Sequence, residues 1–305
     1  MRLVVVGMGV QGPKRTAAAG SDVVATVDPE KDGATHRSLR DVALDRYDAA
    51  ALCVPDDAKL ELMEYLARHG KHALVEKPVV GGGARLAALA ALARGSGAVF
   101  YTAYNHRFEP HFVRMKALLE SGELGRIYTL RMFYGNGTAR LVRGSRWRDR
   151  GSGVLRDLGS HLLDTVLYWL GEPDAPFAAT AIGTFENASP DHAVLTSAGR
   201  TTIQLEMTLL SWRNHFTCDV LAERGSAHIE GLCKWGPATF RHRRRILPSG
   251  RPTEEVVTLD QADPTWDAEY RHFKALCAAG GPGNLDNDIW IGAALARSIG
   301  DSAHA

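Results

Sequence analysis

Residues 2–12 read RLVVVGMGVQG, a short apolar run that leads directly into three glycines with the spacing Gly-x-Gly-x-x-Gly. The glycines alone are a weak signal, but a buried strand that runs into them and then into a helix is typical of a dinucleotide-binding turn. The glycines permit a tight turn, a close approach of the backbone to a pyrophosphate, and close packing of the helix on the strand. The first N–H groups of the helix then face the phosphates. We therefore expect a cofactor to contact the whole turn, which consists of Gly7, Met8, Gly9, Val10, Gln11 and Gly12.

An acidic residue follows at the position that this pattern requires. Asp28 closes the second apolar run, residues 23–27, which reads VVATV. A carboxylate there can accept hydrogen bonds from both ribose hydroxyls, and its charge would repel a 2′-phosphate. The sequence therefore favours NAD over NADP as the cofactor.

The first hundred residues alternate between apolar runs and helical patterns. Alternation of this kind predicts a doubly wound parallel sheet. The expected strands are residues 2–6, 23–27, 49–54, 72–75 and 98–102.

After about residue 120 the pattern changes to seven alternating runs that are typical of an antiparallel sheet, with a long helix over residues 153–170 and two closing helices. We predict an α/β Rossmann domain over residues 1–120, followed over 121–305 by an α+β domain with a large open, mostly antiparallel sheet. An open sheet has one face to cover, so we expect a homodimer or homotetramer to form through it.

Composition excludes several classes of protein. The chain has 305 residues with 36 Lys and Arg against 35 Asp and Glu, so no global attraction to nucleic acid or to a membrane surface is expected. No apolar run reaches the roughly 18 residues that span a bilayer. The four cysteines are far apart, and neither they nor the histidines show metal-ligand spacing. We expect a cytoplasmic protein with reduced thiols and no metal site.

Two places in the sequence can carry chemistry. Lys77 follows the expected strand 72–75, and ligands bind at the carboxyl ends of parallel strands, where an ammonium group can stabilise a developing oxyanion. Asp157 and His161 are four residues apart and so share one helix face. An imidazole there can take a proton from an alcohol as hydride leaves the carbon.

Taken together, these features resemble the Gfo/Idh/MocA family, the glucose–fructose oxidoreductase and inositol dehydrogenase group. The resemblance covers nearly the whole chain and rests on motifs in matching order: the glycine turn, Val54-Pro55, GKHALVEKP at 70–78, YNHRF at 104–108, GELG at 122–125, Trp147-Arg148, and residues 153–164.

The resemblance implies roles for residues that the patterns alone do not assign. It implies that Lys77, Asp157 and His161 line the site where the nicotinamide ring faces the substrate. Pro55, Glu76, Lys77 and Asn105 are expected near the cofactor. The residues expected to bind substrate are Lys77, His106, Arg107, Trp147, Arg148, Asp157 and His161.

The function that these residues favour is an NAD(P)-dependent dehydrogenase or reductase acting on CH–OH groups of a sugar, cyclitol or nucleotide-linked sugar, with a small polyol or sugar as its partner. Three alternatives remain open: an NAD-dependent glycosidase, an imine reductase, and a non-catalytic dinucleotide-binding regulator. Six arginines in 140–156 form a predicted loop that either faces an anionic substrate or is solvated and ion-paired.

Overall fold

The computed structural model describes residues 1–145 and 148–302, with side chains to residue 299. In this part of the chain the strands are β1 Leu3–Val6, β2 Val23–Val27, β3 Ala49–Leu52, β4 His72–Glu76, β5 Phe100–Ala103, β6 Ile127–Gly135, β7 Ala178–Gly183, β8 His192–Ala198, β9 Thr202–Thr208, β10 His215–Ala222, β11 Gly225–Glu230, β12 Ala238–Arg244 and β13 Thr253–Leu259. The α-helices are α1 Gly12–Ala19, α2 Asp56–Arg68, α3 Gly83–Ser96, α4 Pro110–Glu120, α5 Ala139–Arg143, α6 Ser160–Leu170, α7 Thr265–Ala279 and α8 Leu285–Ser302. No helix among these residues is both long enough and apolar enough to cross a membrane.

The first five strands form a parallel sheet in the order β2-β1-β3-β4-β5, which confirms the doubly wound prediction. The chain leaves β1 towards one edge to make β2 and then returns past β1 to make β3. This reversal of direction between β1 and β3 is the topological switch point, where open sheets of this kind bind ligands. Four strands, β1, β3, β4 and β5, are buried along their whole length or nearly so, because helices cover both faces of a parallel sheet.

A buried ion pair ties the late helix α7 to this sheet. The Arg15 guanidinium on α1 is 3% exposed and lies 2.6 Å from both Glu76 Oε1, at the end of β4, and Glu269 Oε2, on α7. The guanidinium also stacks on the indole ring of Trp266, with the guanidinium carbon 4.4 Å from the ring centroid. Burial would lower the pKa of Arg15, but the charges of Glu269 and Glu76 outweigh it and raise that pKa. Arg15 therefore stays charged and holds α7 in place.

Replacing Arg15 with methionine should lower the free energy of unfolding by about 3–5 kcal/mol, because it leaves two carboxylates buried without their cation. The measurement is the urea midpoint at neutral pH. The matched control is Arg40→Met, which breaks an exposed pair with Glu61 and should change stability by no more than about 0.5 kcal/mol. Equal midpoints for the two variants would contradict the structural role given to Arg15.

The remaining strands form one eight-stranded sheet in the order β13-β12-β11-β10-β6-β9-β8-β7. All pairs are antiparallel except β6 with β9, so the predicted open, mostly antiparallel sheet is confirmed. Inward residues of β6, β9 and β10 such as Met132, Leu205 and Phe216 are buried, whereas their neighbours along each strand are half-buried or exposed. The alternation leaves one polar face of the sheet uncovered.

The helix predicted over residues 153–170 begins differently from the expectation. Leu155–Gly159 forms a π-helical segment, which then continues into α6. Gly153, at φ +47°, has no room for a side chain, since a Cβ there would lie 2.1 Å from the carbonyl oxygen of Pro190. A Cβ on Gly159 would lie 2.8 Å from Met207 Sδ on β9, so this glycine allows the segment to pack closely on the sheet. Single π-helical turns occur frequently at functional sites.

The contacts divide the chain differently from the predicted boundary after residue 120. One compact unit consists of Met1–Asn105 with Thr265–Gly292, and the other of His106–Pro264 with the residues from Ala293 onwards. The prediction placed α7 and the start of α8 in the second domain because they follow it in sequence, but contacts such as Arg15–Glu269 join α7 to the parallel sheet. The first part of the predicted arginine-rich loop is also helical, as α5.

Candidate functional site

The glycine turn in the first unit has the geometry that a dinucleotide requires. Gly7 lies at φ +90°, and a Cβ there would be 2.6 Å from the carbonyl oxygen of Cys53, so the ends of β1 and β3 touch at the switch point. A Cβ on Gly12 would be 2.2 Å from the carbonyl oxygen of Gly7. Because glycine has no side chain, α1 can start directly against the turn. Beside Gly9 the space is open, with no atom within 4 Å of an added Cβ. A ligand can therefore approach the backbone at Gly9 and the N-terminus of α1.

Asp28 is fixed against this turn. Its Oδ2 accepts a hydrogen bond from the Met8 N–H at 2.7 Å, and its Oδ1 accepts from the N–H groups of Glu30 and Lys31 at 3.0 and 2.9 Å. Slight burial would raise the pKa of Asp28, but the three backbone donors outweigh it and hold the pKa below its usual range. The carboxylate is therefore ionised at neutral pH, beside the glycines and at the end of β2.

Arg37 lies next to the same corner. Its Nη1 is 3.1 Å from the carbonyl oxygen of Lys31 and 3.5 Å from the carbonyl oxygens of Asp28 and Pro29. The side chain is exposed, and its other terminal nitrogen is 3.6 Å from the fully exposed carboxylate of Asp32. A cation of this kind can accommodate a 2′-phosphate in proteins that use NADP. This corner therefore holds a carboxylate, which favours NAD, and a guanidinium cation, which would suit the 2′-phosphate of NADP.

Lys77 lies between two residues that are both held firmly. Glu76 before it is paired with Arg15, and the carbonyl oxygen of Pro78 after it accepts a hydrogen bond from Lys59 Nζ at 2.8 Å. Lys59 is 2% exposed and also donates to Asp56 Oδ1 at 2.7 Å. No sequence motif marks Lys59, and only the packing of α2 on the segment after β4 reveals its contact. Lys77 itself is half-buried at the carboxyl end of the sheet.

The other residues expected near the cofactor lie at the same end of the first unit. Pro55 is exposed, lies three residues after the end of β3 and precedes the first turn of α2. Asn105 follows β5 and donates from Nδ2 to Thr265 Oγ1 at 2.9 Å, at the start of α7. Both therefore follow the carboxyl ends of parallel strands.

In the second unit, His161 lies in the first turn of α6 and is 6% exposed. Its ring stacks on His106, with the ring centroids 4.0 Å apart and the planes inclined by 17°. Asp157 lies in the π-helical segment, half-buried, and Arg148 Nη2 approaches its Oδ2 at 3.3 Å. The structure thus places Asp157 and His161 on consecutive turns.

Arg107 has a well-defined position in this unit. Its Nε and Nη2 donate to the two oxygens of Asp164 on α6, at 2.8 and 2.6 Å, in a bidentate pair. Asp164 is 1% exposed, so this pair fixes the segment after β5 to α6. Because Arg107 is fixed in this way, the adjacent His106 lies against the ring of His161.

Lys234 is a residue of this neighbourhood that sequence reasoning missed. It lies in the short helical turn Cys233–Trp235 between β11 and β12, and its Nζ is 3.2 Å from His106 Nε2. No motif marks the position, because only the pairing of β11 with β10 brings this turn beside residues more than a hundred positions earlier.

Several predicted features are only partly described. Trp147 and Arg146 lie outside the described residues. Of the other arginines in 140–156, Arg143 pairs with Glu186 at 3.3 Å and Arg148 with Asp157. Within residues 1–145 and 148–302, no cluster of three or more His, Cys, Asp or Glu side chains is arranged to hold a metal ion.

Sequence comparison finds relatives among oxidoreductases. The model of the GFO/IDH/MocA C-terminal domain matches residues 112–228. An inositol 2-dehydrogenase from Rhizobium meliloti (strain 1021) is 28% identical over 144 residues, which make up 47% of this chain and 43% of that protein. A scyllo-inositol 2-dehydrogenase (NADP(+)), IolW, from Bacillus subtilis (strain 168) is 31% identical over 122 residues, 39% of this chain and 33% of that protein. Each match spans less than half the length of the curated relative.

Structural comparison covers the whole chain. The structure of a levoglucosan dehydrogenase in complex with NADH superposes with a TM-score of 0.87, over 100% of this chain and 97% of that one, at 17% sequence identity. The structure of GenD2 from gentamicin A biosynthesis in complex with NAD gives a TM-score of 0.81 at 20% identity, over 99% and 94% of the two chains. At these identities the likeness shows a shared fold.

Proposed function

We propose that the chain is a member of the Gfo/Idh/MocA family of oxidoreductases and that it transfers hydride between a nicotinamide dinucleotide and a secondary alcohol or ketone of a sugar, cyclitol or nucleotide-linked sugar. The observation that carries the proposal is the glycine turn at the switch point of the parallel sheet, with the ionised Asp28 bound to the Met8 N–H. Relatives named as inositol dehydrogenases support the class of substrate.

The residues of the first unit fit the cofactor. The open backbone beside Gly9 and the N-terminus of α1 would hold the pyrophosphate, and Asp28 would accept the ribose hydroxyls. We propose NAD as the preferred form. The pKa of Asp28 lies below its usual range, so the side chain carries a negative charge where a 2′-phosphate would lie. When bound, the nicotinamide supplies an acceptor or donor of hydride.

We assign the proton chemistry to Lys77, Asp157 and His161. In the oxidative direction the imidazole of His161 takes the proton of the substrate hydroxyl, and the ammonium group of Lys77 donates a hydrogen bond to the same oxygen and stabilises its developing charge. Asp157 orients the imidazole or binds the substrate. In the reductive direction the same groups return the proton. His106, Arg107 and Arg148 remain proposed substrate-binding residues.

The proposal is tested by titrating NADH fluorescence and then assaying turnover with NAD and NADP on myo-inositol, scyllo-inositol, levoglucosan and their ketones. We expect reduced cofactor to form in equal amounts with the oxidised product. Glycoside cleavage without net reduction would favour the NAD-dependent glycosidase, and turnover of cyclic imines alone would favour the imine reductase. Tight NADH binding with no turnover on any substrate would favour a regulator.

We also propose that the uncovered face of the eight-stranded sheet pairs subunits into a homodimer or homotetramer. Leu221 lies on this face, opposite Thr129 and Ser226 of the neighbouring strands, and is 46% exposed. Light scattering should give at least twice the monomer mass of 33.1 kDa for the wild type and a smaller assembly for Leu221→Glu. A monomeric wild type would overturn this proposal.

A further inference from the structure

A row of three cationic or potentially cationic side chains lies inside the second unit, and we call it the Lys234 row: Lys234, His106 and His161. Lys234 Nζ is 3.2 Å from His106 Nε2, and the His106 ring stacks on His161 with centroids 4.0 Å apart. The lysine is half-buried over aromatic rings, with Nζ 4.7 Å from the centroid of Trp235 and 5.9 Å from that of Tyr134. The charged end is therefore held in one place.

The contact sets the protonation of His106. An ammonium group has three donors and no acceptor, so Lys234 can only donate to the ring nitrogen. His106 Nε2 must then carry a lone pair, and its proton lies on Nδ1. His106 is 1% exposed and contacts both Lys234 and His161, so little water can screen the charge of Lys234 from His161.

We propose that Lys234 is a positioning residue that acts through His106 to keep the imidazole of His161 unprotonated near neutral pH. The inference rests on the proposed function, in which His161 is the base. A second positive charge on His161 would lie beside the same His106 ring that a fixed ammonium group contacts, and a nearby like charge disfavours protonation. The unprotonated imidazole is the form that accepts a proton from an alcohol, so the row poises the unit for oxidation at neutral pH.

The acids around the row have partners of their own. Asp157, on the preceding π-helical segment, has Arg148 as a partner, and Asp164 is paired bidentately with Arg107. Burial raises the pKa of Glu109, although the Cys233 N–H and the charge of Lys234 oppose the rise. The charge of Asp263 also raises the pKa of Glu109. Arg156 adds a further positive charge on the π-helical segment.

The phenol on the other side of the row is also neutral. Burial, aided by the charges of Asp157 and Glu109, raises the pKa of Tyr134. Its ring lies 5.3 Å from that of His106 and 6.0 Å from that of His161. Tyr134 thus contributes bulk and exclusion of water on this side of the row, and Lys234 contributes a positive charge beside His106.

The decisive experiment is a titration of the histidine imidazoles in the full chain by ¹⁵N NMR, with the His161 signals assigned by their loss in His161→Gln. We expect the titration midpoint of His161 to rise by about one pH unit in Lys234→Met and in Lys234→Gln, since each removes the charge. Lys234→Arg keeps the charge and should leave the midpoint near that of the wild type. His192, on the uncovered face of the sheet, serves as the internal control and should not move.

Activity gives a second readout. The acidic limb of the pH profile of kcat/KM for alcohol oxidation should move upwards in Lys234→Met by the same amount as the NMR midpoint. An unchanged or lowered His161 midpoint in both neutral variants, or an arginine variant that behaves like methionine, would overturn the proposal. The NMR result stands whether or not a substrate is found, so its failure is distinguishable from failure of the proposed function.

Discussion

Replacing Lys77 with alanine should lower kcat for polyol oxidation by about 100- to 1,000-fold, because the variant loses the donor that stabilises charge on the substrate oxygen. Replacing His161 with alanine or asparagine should lower kcat by about 100- to 10,000-fold, because no group then takes the hydroxyl proton. The dissociation constant for NADH should change little in either variant. Steady-state kinetics and NADH fluorescence titration measure the two effects separately.

The matched controls are Lys116→Ala and His192→Ala. Lys116 lies on α4 and pairs with Glu120, and His192 begins β8. The two control substitutions therefore remove a lysine and a histidine side chain from places with no proposed chemistry. Both controls should keep nearly the full kcat. Wild-type turnover in both the Lys77 and His161 variants would remove the mechanism, whereas loss of NADH binding would show instead that the substitution had disturbed the cofactor site.

The second large effect concerns the choice of cofactor. Asp28→Ser and Asp28→Asn should shift the ratio of NADPH to NADH affinity towards NADPH by about 100-fold, since each removes the charge that repels a 2′-phosphate while keeping an acceptor for the Met8 N–H. Arg37, with its guanidinium beside the carbonyls of residues 28, 29 and 31, would then be available to the phosphate. Adding Arg37→Ala to Asp28→Ser should therefore cancel much of the gain.

Asp32→Ser is the control for this experiment. It removes the same charge from a fully exposed carboxylate near Arg37 and should alter the affinity ratio by less than about threefold. The preference of the wild type is measured in the same titrations. Tighter binding of NADPH than of NADH by the wild type, or an unchanged ratio in both Asp28 variants, would contradict the role of Asp28.

Much of the first unit could be predicted from its residues. Each of the five parallel strands lies within about two residues of its expected position, because apolar runs bounded by glycines and helix starts carry strong local signals. The glycine turn and Asp28 were also predictable, since the chemistry of a tight turn and a ribose contact depends on residues within one βαβ unit. The fold of the second unit followed from alternation of residues along its strands.

The contacts that depend on distant parts of the chain were not predictable. The grouping of α7 with the parallel sheet was not predictable, because the buried contact of Arg15 with Glu269 joins residues 254 positions apart. The π-helical start of the segment around Asp157 depends on how Gly153 and Gly159 pack on the sheet, and the residues themselves fit an ordinary helix equally well.

The contacts of Lys59 and Lys234 were likewise not predictable from the sequence. Each is one lysine among many in the sequence, and each acquires a defined position only when a strand order or a loop brings a carbonyl or an imidazole within reach. The sequence by itself determined the parallel sheet, the glycine turn and the acid at the end of β2, because these depend on local periodicity and spacing. Only the tertiary structure decided which buried charges meet, because the energy of such contacts depends on distance in space and on exclusion of water, which spacing along the chain does not encode.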